Sequence, residues 1–354
     1  MKKIFLVIFS LFLLTGCYDY KELKDIDVIT GIGIDYEDGE YIVTLEVLRA
    51  TASGDKPEMK TVLIKSEDEV FSNAFESNYT KISKLPYFSH LQLIVVSEEV
   101  AEEKGMQEIM DFLLRTSRIG NTFYTAVANG HSAYEIFDNK QKDEAVATYL
   151  VTLLKYSNEN SFFTVDNQFD LLTRTFLSKG QDIYLPSITI KDEDFKVDDL
   201  AIFENFHMVG YIEDKYSTIL SLATMSSMNN IYINDDINAI DINKSNYKIE
   251  AEPDKITIAL DLKATIKSLD KEFSLKDEDT FAWFEDHFSN LIKKELEKSI
   301  QELRFYNSDV LGLGNRYYKK YPRKYYEGIG NEIDYEIKVN LTVNKFGILF
   351  EVIE

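Results

Sequence analysis

Cys17 is the only cysteine among the 354 residues of this chain, and it follows Leu14-Thr15-Gly16 directly. A thiol placed there can take a diacylglycerol through a thioether, after which cleavage leaves Cys17 as a lipidated N-terminus. The residues before it suit that chemistry. Met1-Lys2-Lys3 gives a positive start and Ile4 through Leu14 carries no charge, the make-up of a secretory signal with small residues at its cut site. The apolar run falls short of the roughly 20 residues that a permanent membrane span requires. Residues 1–16 are therefore expected to be a lipoprotein signal peptide and residues 17–24 a lipidated tether.

Other residue patterns that could do chemistry fail their tests. Gly31-Ile32-Gly33 lies inside an apolar strand pattern without a third glycine or a following helix, so it reads as a bulge or a close backbone approach rather than a dinucleotide turn. The four histidines, His90, His131, His207 and His287, have no metal-ligand spacing. No serine stands in a Gly-x-Ser-x-Gly elbow, and carboxylates are too numerous for any one pair to signify acid–base work. Arg115 and Arg118, at the end of a helical pattern, read first as charge balance and dipole complementation and second as a contact for an acidic partner or head group. No catalytic residue, metal site or cofactor site is expected, and the chain reads as a non-enzyme.

Composition narrows the class further. The formal charge is −22, and removal of Lys2 and Lys3 with the signal would take it to −24. A body this acidic makes a poor nucleic-acid binder, because phosphates demand clustered Lys and Arg. It is also repelled by anionic head groups, so an acyl anchor would be needed to hold it at a membrane. Two acyl chains anchor durably where one does not. With Cys17 acylated no thiol remains for disulfides, and the fold must hold by packing, for which 45% hydrophobic residues including 22 Tyr and 23 Phe are ample.

The elements that would carry these residues alternate. Ile26–Asp35 and Tyr41–Ala50 read as strands joined at Asp38-Gly39, a tight hairpin signal. Thr51–Lys60 is expected to be a loop, and Thr61–Lys65 a strand. Ser66 and Glu69 suggest a capping box before a helical pattern through Phe71, Phe75 and Tyr79. Gln92–Val96 reads as a central strand, followed by a helix from Ser97 to Leu114 broken near Gly105. Thr122–Ala128 is another strand.

The acidic stretch Lys191–Asp199 marks an expected boundary between an N-terminal domain (25–190) and a C-terminal domain (191–354), the latter open to subdivision near 250. Past it come a hairpin around Glu204-Asn205, paired strands Tyr247–Glu252 and Lys255–Leu269, and a long helix capped by Thr280 with an apolar stripe from Phe281 to Leu303. Two alternating strands, Ile333–Val343 and Phe346–Val352, follow. The class is α+β: multi-domain, mostly antiparallel sheets each packed by helices.

Several stretches in order resemble the Ger(x)C family of spore germination lipoproteins. Cys17-Tyr18-Asp19-Tyr20-Lys21-Glu22-Leu23, running into Thr30-Gly31-Ile32-Gly33-Ile34-Asp35, is similar to the family's lipidated start, with Tyr18 where Trp is usual. Phe88-Ser89-His90-Leu91-Gln92, Ser97–Ala101 and Asp111–Arg115 resemble its central strand–helix block. Ala201-Ile202-Phe203 with Val209-Gly210-Tyr211 is similar to the hairpin opening its second half. Asp309–Gly314, followed by Tyr317 and Pro322, resembles its Asp-x-x-Gly-x-Gly turn, with Tyr325 and Tyr326 where an aromatic is usual. The resemblance implies a non-catalytic C subunit of a nutrient germinant receptor, lipid-anchored through Cys17 on the outer face of the spore inner membrane. Its partners would be the multi-pass A and B subunits. A solute-binding lipoprotein serving a transporter is the alternative reading. A cell-wall hydrolase is a third, lacking any recognisable nucleophile.

Overall fold

Strand β1 (Ile26–Glu37) is buried along almost its whole length, so both faces of the sheet around it must be covered. The computed structural model describes residues 25–53, 56–139, 144–159, 168–224 and 231–344. In chain order the first half carries β1, β2 (Glu40–Ser53), β3 (Lys56–Asp68), α1 (Phe71–Ser77), β4 (Leu85–Tyr87) and β5 (Leu93–Ser97). After a wide helical turn over Val100–Lys104 come α2 (Gln107–Arg115), β6 (Tyr124–Ala128), α3 (Ala133–Phe137), α4 (Val146–Glu159), α5 (Phe169–Phe176) and β7 (Tyr184–Lys191). The second half carries β8 (Asp194–Glu204), β9 (His207–Ile212), α6 (Asp214–Ser221), β10 (Ile231–Asn234), β11 (Ala239–Ala251) and β12 (Lys255–Ser268). It closes with α7 (Glu278–Phe305), α8 (Leu313–Lys320), α9 (Ile329–Glu332) and β13 (Asp334–Val343).

Nine strands form the first sheet, in the order β3-β2-β1-β5-β6-β7-β8-β9 with β4 also on β1. Its centre is parallel (β1–β5, β5–β6 and β6–β7), and its flanks are antiparallel hairpins. The α+β class matches the expectation, while the pairing is more evenly mixed than a mostly antiparallel reading implies. The side-chain period of two splits each central strand between two cores. In β5, Ile94 and Val96 pack with Phe71, Phe75 and Met110 beneath α1 and α2, whereas Leu93 and Val95 pack with Phe137, Ala147 and Leu150 beneath α3 and α4.

A second sheet, β10-β11-β12-β13, is covered by α7. The apolar stripe expected of that helix is there: Phe281, Phe284, Phe288, Ile292, Leu296, Ile300 and Leu303 are all buried in one cluster, each such side chain contributing about 2 kcal/mol gross. That cluster also takes Leu200 and Ile202 from β8, while Ala201 and Phe203 of the same strand face the first core. Strand β8 is thus a wall shared by two cores. The boundary expected at 191 falls in the β7–β8 turn, where Asp192 and Glu193 take positive φ, and the first sheet continues across it through β8 and β9.

Some local expectations are corrected. Thr51–Ser53 and Lys56–Lys60 are strand rather than loop: β2 and β3 pair from Ala50↔Met59 out to Ser53↔Lys56, because register continues a ladder where composition alone suggests a break. Ser66 and Glu69 form no capping box, since β3 runs on to Asp68, whose Oδ1 accepts the Val70 N–H at 2.9 Å. A capping box does stand at Ser132 and Glu135, opening α3. Helix α7 starts one turn before Thr280, with Asp277 at its N-cap. The strand expected over Phe346–Val352 lies outside the described residues.

Candidate functional site

Cys17 also lies outside the described residues. The Thr30–Asp35 part of the motif that follows it is described, and the structure gives its polar residues and its glycines physical roles. In β1, Thr30 Oγ1 donates to Glu46 Oε2 at 2.7 Å. Glu46, buried in β2, accepts the Val146 N–H at 2.6 Å and the Ala147 N–H at 3.1 Å, which seats the positive end of α4 on the sheet. Asp35 does the same for α3, accepting from Ala133 N at 2.6 Å and Tyr134 N at 2.9 Å. Burial pushes Asp35 up to about 6 against the pull of those two donors, and it raises Glu46 too. Gly31 and Gly33 are close-approach glycines: a Cβ on Gly31 would lie 2.4 Å from Phe137 Cε1, and the β1–β2 register shifts at Ile29/Gly31. The Thr30–Asp35 stretch is a platform for two helix N-termini, one that leaves space for Phe137.

The second motif, Asp309–Gly314, builds the junction between the two cores. Asp309 is buried and accepts from Leu313 N at 2.8 Å and Gly314 N at 2.7 Å, holding the first turn of α8. Its own N–H donates to Asp182 Oδ2 at 2.7 Å, and its carbonyl accepts from Asp182 N at 3.1 Å. Burial drives the Asp309 carboxyl up to about 7, with the nearby Asp182 charge adding to the rise. Gly330 is required beside it, since a Cβ there would lie 2.0 Å from Asp309 Oδ2. Further bonds cross the same junction: Asn315 Nδ2 donates to the Lys179 carbonyl at 2.8 Å, and Ser308 Oγ to the Phe203 carbonyl at 2.6 Å.

Two clefts flank this junction and share Ser178 and Gln181 as a wall. One, about 340 Å³, is acidic, with Asp182, Glu204, Asp309 and Glu327 in its lining. The other, about 430 Å³, has Arg174, Arg316 and Lys319 and no carboxylate in its lining.

The remaining candidates stay apart. His90 contacts Tyr87, His131 Nε2 lies 3.3 Å from the Ile190 carbonyl, His207 opens β9, and His287 on α7 meets Asp235 at 2.7 Å. Among the described residues no group of three or more His, Cys, Asp or Glu is placed to hold a metal. Arg115, in the last turn of α2, pairs with Asp111 on its own helix at 2.8 Å, the charge balance expected first, whereas Arg118 lies past the helix end and over the Tyr79 ring. Among the described residues no helix is long and apolar enough to cross a membrane. Sequence reasoning missed Glu46 and Asp182. A lone Glu inside the apolar run Leu45-Glu46-Val47 was a readable signal for the first; Asp182, in a polar stretch, offered none.

Residues 19–190 match the family model described as the spore germination protein N-terminal domain, and residues 198–347 match the one described as spore germination B3/GerAC like, C-terminal. The chain belongs to the Ger(x)C family. Its relatives include spore germination protein KC of Bacillus subtilis (strain 168), 22% identical over 90% of this chain and 88% of that protein. Spore germination protein GerQC of Bacillus cereus is 24% identical over 98% of both. The crystal structure of the GerBC protein superposes with a TM-score of 0.50 at 16% identity, covering 88% of this chain and 96% of that one. The Ger(x)C fold thus extends through both sheets. Between the two family segments lie residues 191–197, which hold the β7–β8 turn and the first residues of β8.

Proposed function

We propose that this Ger(x)C chain is the non-catalytic C subunit of a nutrient germinant receptor, held by acyl chains on Cys17 to the outer face of the spore inner membrane and needed for germination in response to small nutrients. The observation that carries the reading is the coincidence of two independent features: matches to both family segments, and a sole cysteine placed at the end of an apolar signal. Residues 1–16 would be removed as the signal, 17–24 would serve as the tether, and the folded body would divide near residue 191. The polar groups at the junction, Asp309, Asp182, Asn315 and Ser308, support a scaffolding role, because each is engaged in positioning a helix or a strand.

The proposed partners are the multi-pass A and B subunits. Tethering raises the effective concentration of body and partner without new contacts, so a modest interface would suffice. An anchor is physically required, since a body of this net charge would be repelled by anionic lipid. The test is Cys17→Ala in the native host, with membrane fractionation and the nutrient response measured together. Both are expected to be lost. Normal retention and normal germination of the variant would overturn the reading.

A further inference from the structure

The basic cleft at the junction has no part in the role proposed above. Its lining gathers Arg174, Arg316 and Lys319 without a single carboxylate, in a chain with 61 Asp and Glu against 39 Lys and Arg. Arg316 and Lys319 stand three residues apart on one face of α8, exposed, where two like charges destabilise a helix unless something answers them. Lys319, in the last turn, is answered by the helix dipole alone, and neither side chain makes an ion pair or hydrogen bond among the described residues. The neighbouring cations behave differently. Lys320 Nζ donates to the Ala251 carbonyl at 2.6 Å, and Lys179 lies over the rings of Tyr318 and Tyr325. Arg174 is held by Asp170 through one nitrogen at 3.1 Å, which leaves most of its five donors available.

We infer that this cleft is a binding site for a compact oxyanion, a phosphate- or carboxylate-bearing group gripped by Arg316, Lys319 and Arg174. Guanidinium forks match such oxygens bidentately, and a lysine adds a point charge. The volume of 430 Å³ holds about a dozen waters' worth of space, which leaves room for a group attached to the oxyanion. The half-buried tyrosines Tyr184 and Tyr247 in the lining offer flat apolar walls to the rest of it. Because the lining comes from α5 and β7 on one side and from β11 and α8 on the other, an occupant would clamp the two halves together.

The test uses the full chain in nanodiscs of phosphatidylcholine, titrated calorimetrically with sodium phosphate and, separately, with citrate at low salt. Saturable binding by at least one probe is expected, weakened about tenfold or more by Arg316→Ala with Lys319→Ala, as loss of charge-assisted bonds requires. The control Arg115→Ala should bind as wild type. Should the double variant lose its native circular dichroism, the milder Arg316→Gln carries the comparison. A second set of discs containing phosphatidylglycerol separates the sources. Loss of probe binding there identifies a lipid head group as the occupant, and unchanged binding identifies a soluble anion. Absence of saturable binding by both probes in phosphatidylcholine, or undiminished binding by the variants, would overturn the inference.

Discussion

Asp182 and Asp309 hold one another by the backbone of one and the carboxylate of the other: Asp309 N–H reaches Asp182 Oδ2 at 2.7 Å, and Asp182 N–H reaches the Asp309 carbonyl at 3.1 Å. Two acids thus join a segment preceding β7 to the turn that launches α8. Neither carboxylate is met by a cation in the bonds that define the junction. The arrangement is sustained by backbone N–H donors, and it places two mutually repelling groups side by side.

This arrangement sets a direction for stability against pH. Burial raises the Asp309 carboxyl from 3.8 to about 7, so between about pH 4 and pH 7 the native state keeps a proton that the unfolded chain has released. Its contribution is fully present below about pH 4 and is lost as pH rises through about 7. Asp35, raised to about 6, acts in the same sense, as does Asp182, also raised by burial. Thermal unfolding followed by circular dichroism should show stability falling from pH 5 to pH 8, with Asp309 accounting for on the order of 3 kcal/mol. Asp309→Asn should flatten the profile. An unchanged slope in that variant would refute the assignment.

Glu46 makes a second prediction. Its carboxylate answers two N–H groups at the start of α4 and the hydroxyl of Thr30. Glu46→Ala should strand those donors in an apolar setting and cost about 2–4 kcal/mol, read as a lower urea midpoint. Glu46→Gln keeps one acceptor and should recover roughly half. Equal loss in both variants would mean that the charge on the helix end, rather than the hydrogen bonds, carries the effect.

Gly31 makes a third. A methyl group there would lie within 2.4 Å of the Phe137 ring, so Gly31→Ala should destabilise by about 1–3 kcal/mol through overpacking. Phe137→Leu removes the ring and should restore part of the loss, giving a negative coupling energy in a double-mutant cycle. Additive effects would show that the Phe137 ring is not what excludes the methyl group.

What the sequence revealed follows from the range over which each signal acts. The Asp38-Gly39 turn, the central strand ending at Ser97 and the stripe of α7 were legible because period and turn chemistry are local. The ladder over Thr51–Ser53 and Lys56–Lys60 was not, because polar composition and Pro57 weaken a strand on their own while pairing with a partner strand restores it. The parallel centre was equally hidden, since an apolar run such as Leu93–Val96 fits either pairing sense. The Gly-x-Gly-x-Asp stretch was legible as a motif, whereas its physical purpose required knowing that α3 and α4 come down on it some hundred residues later. The acidic stretch at Lys191–Asp199 spans the gap between two family segments, yet the sheet carries on through it as an ordinary hairpin.

Trp283 offers a way to measure how tightly that hairpin couples the two cores. It is the sole tryptophan, packed on α7 against Phe273 at 4.6 Å and stacked on His287 at 4.3 Å, so its emission reports the second core alone. Far-ultraviolet circular dichroism reports both. Strand β8 gives Leu200 and Ile202 to one core and Ala201 and Phe203 to the other, and a wall shared in that way should make unfolding a single cooperative event. The two probes are expected to give coincident urea transitions in the wild-type chain. Asp309→Ala strips α8 of its acceptor and loosens the junction, but it leaves β8 in place. The transitions should therefore move to lower urea together. Separated transitions in the wild type would show that the cores unfold independently and that β8 is a boundary rather than a common wall.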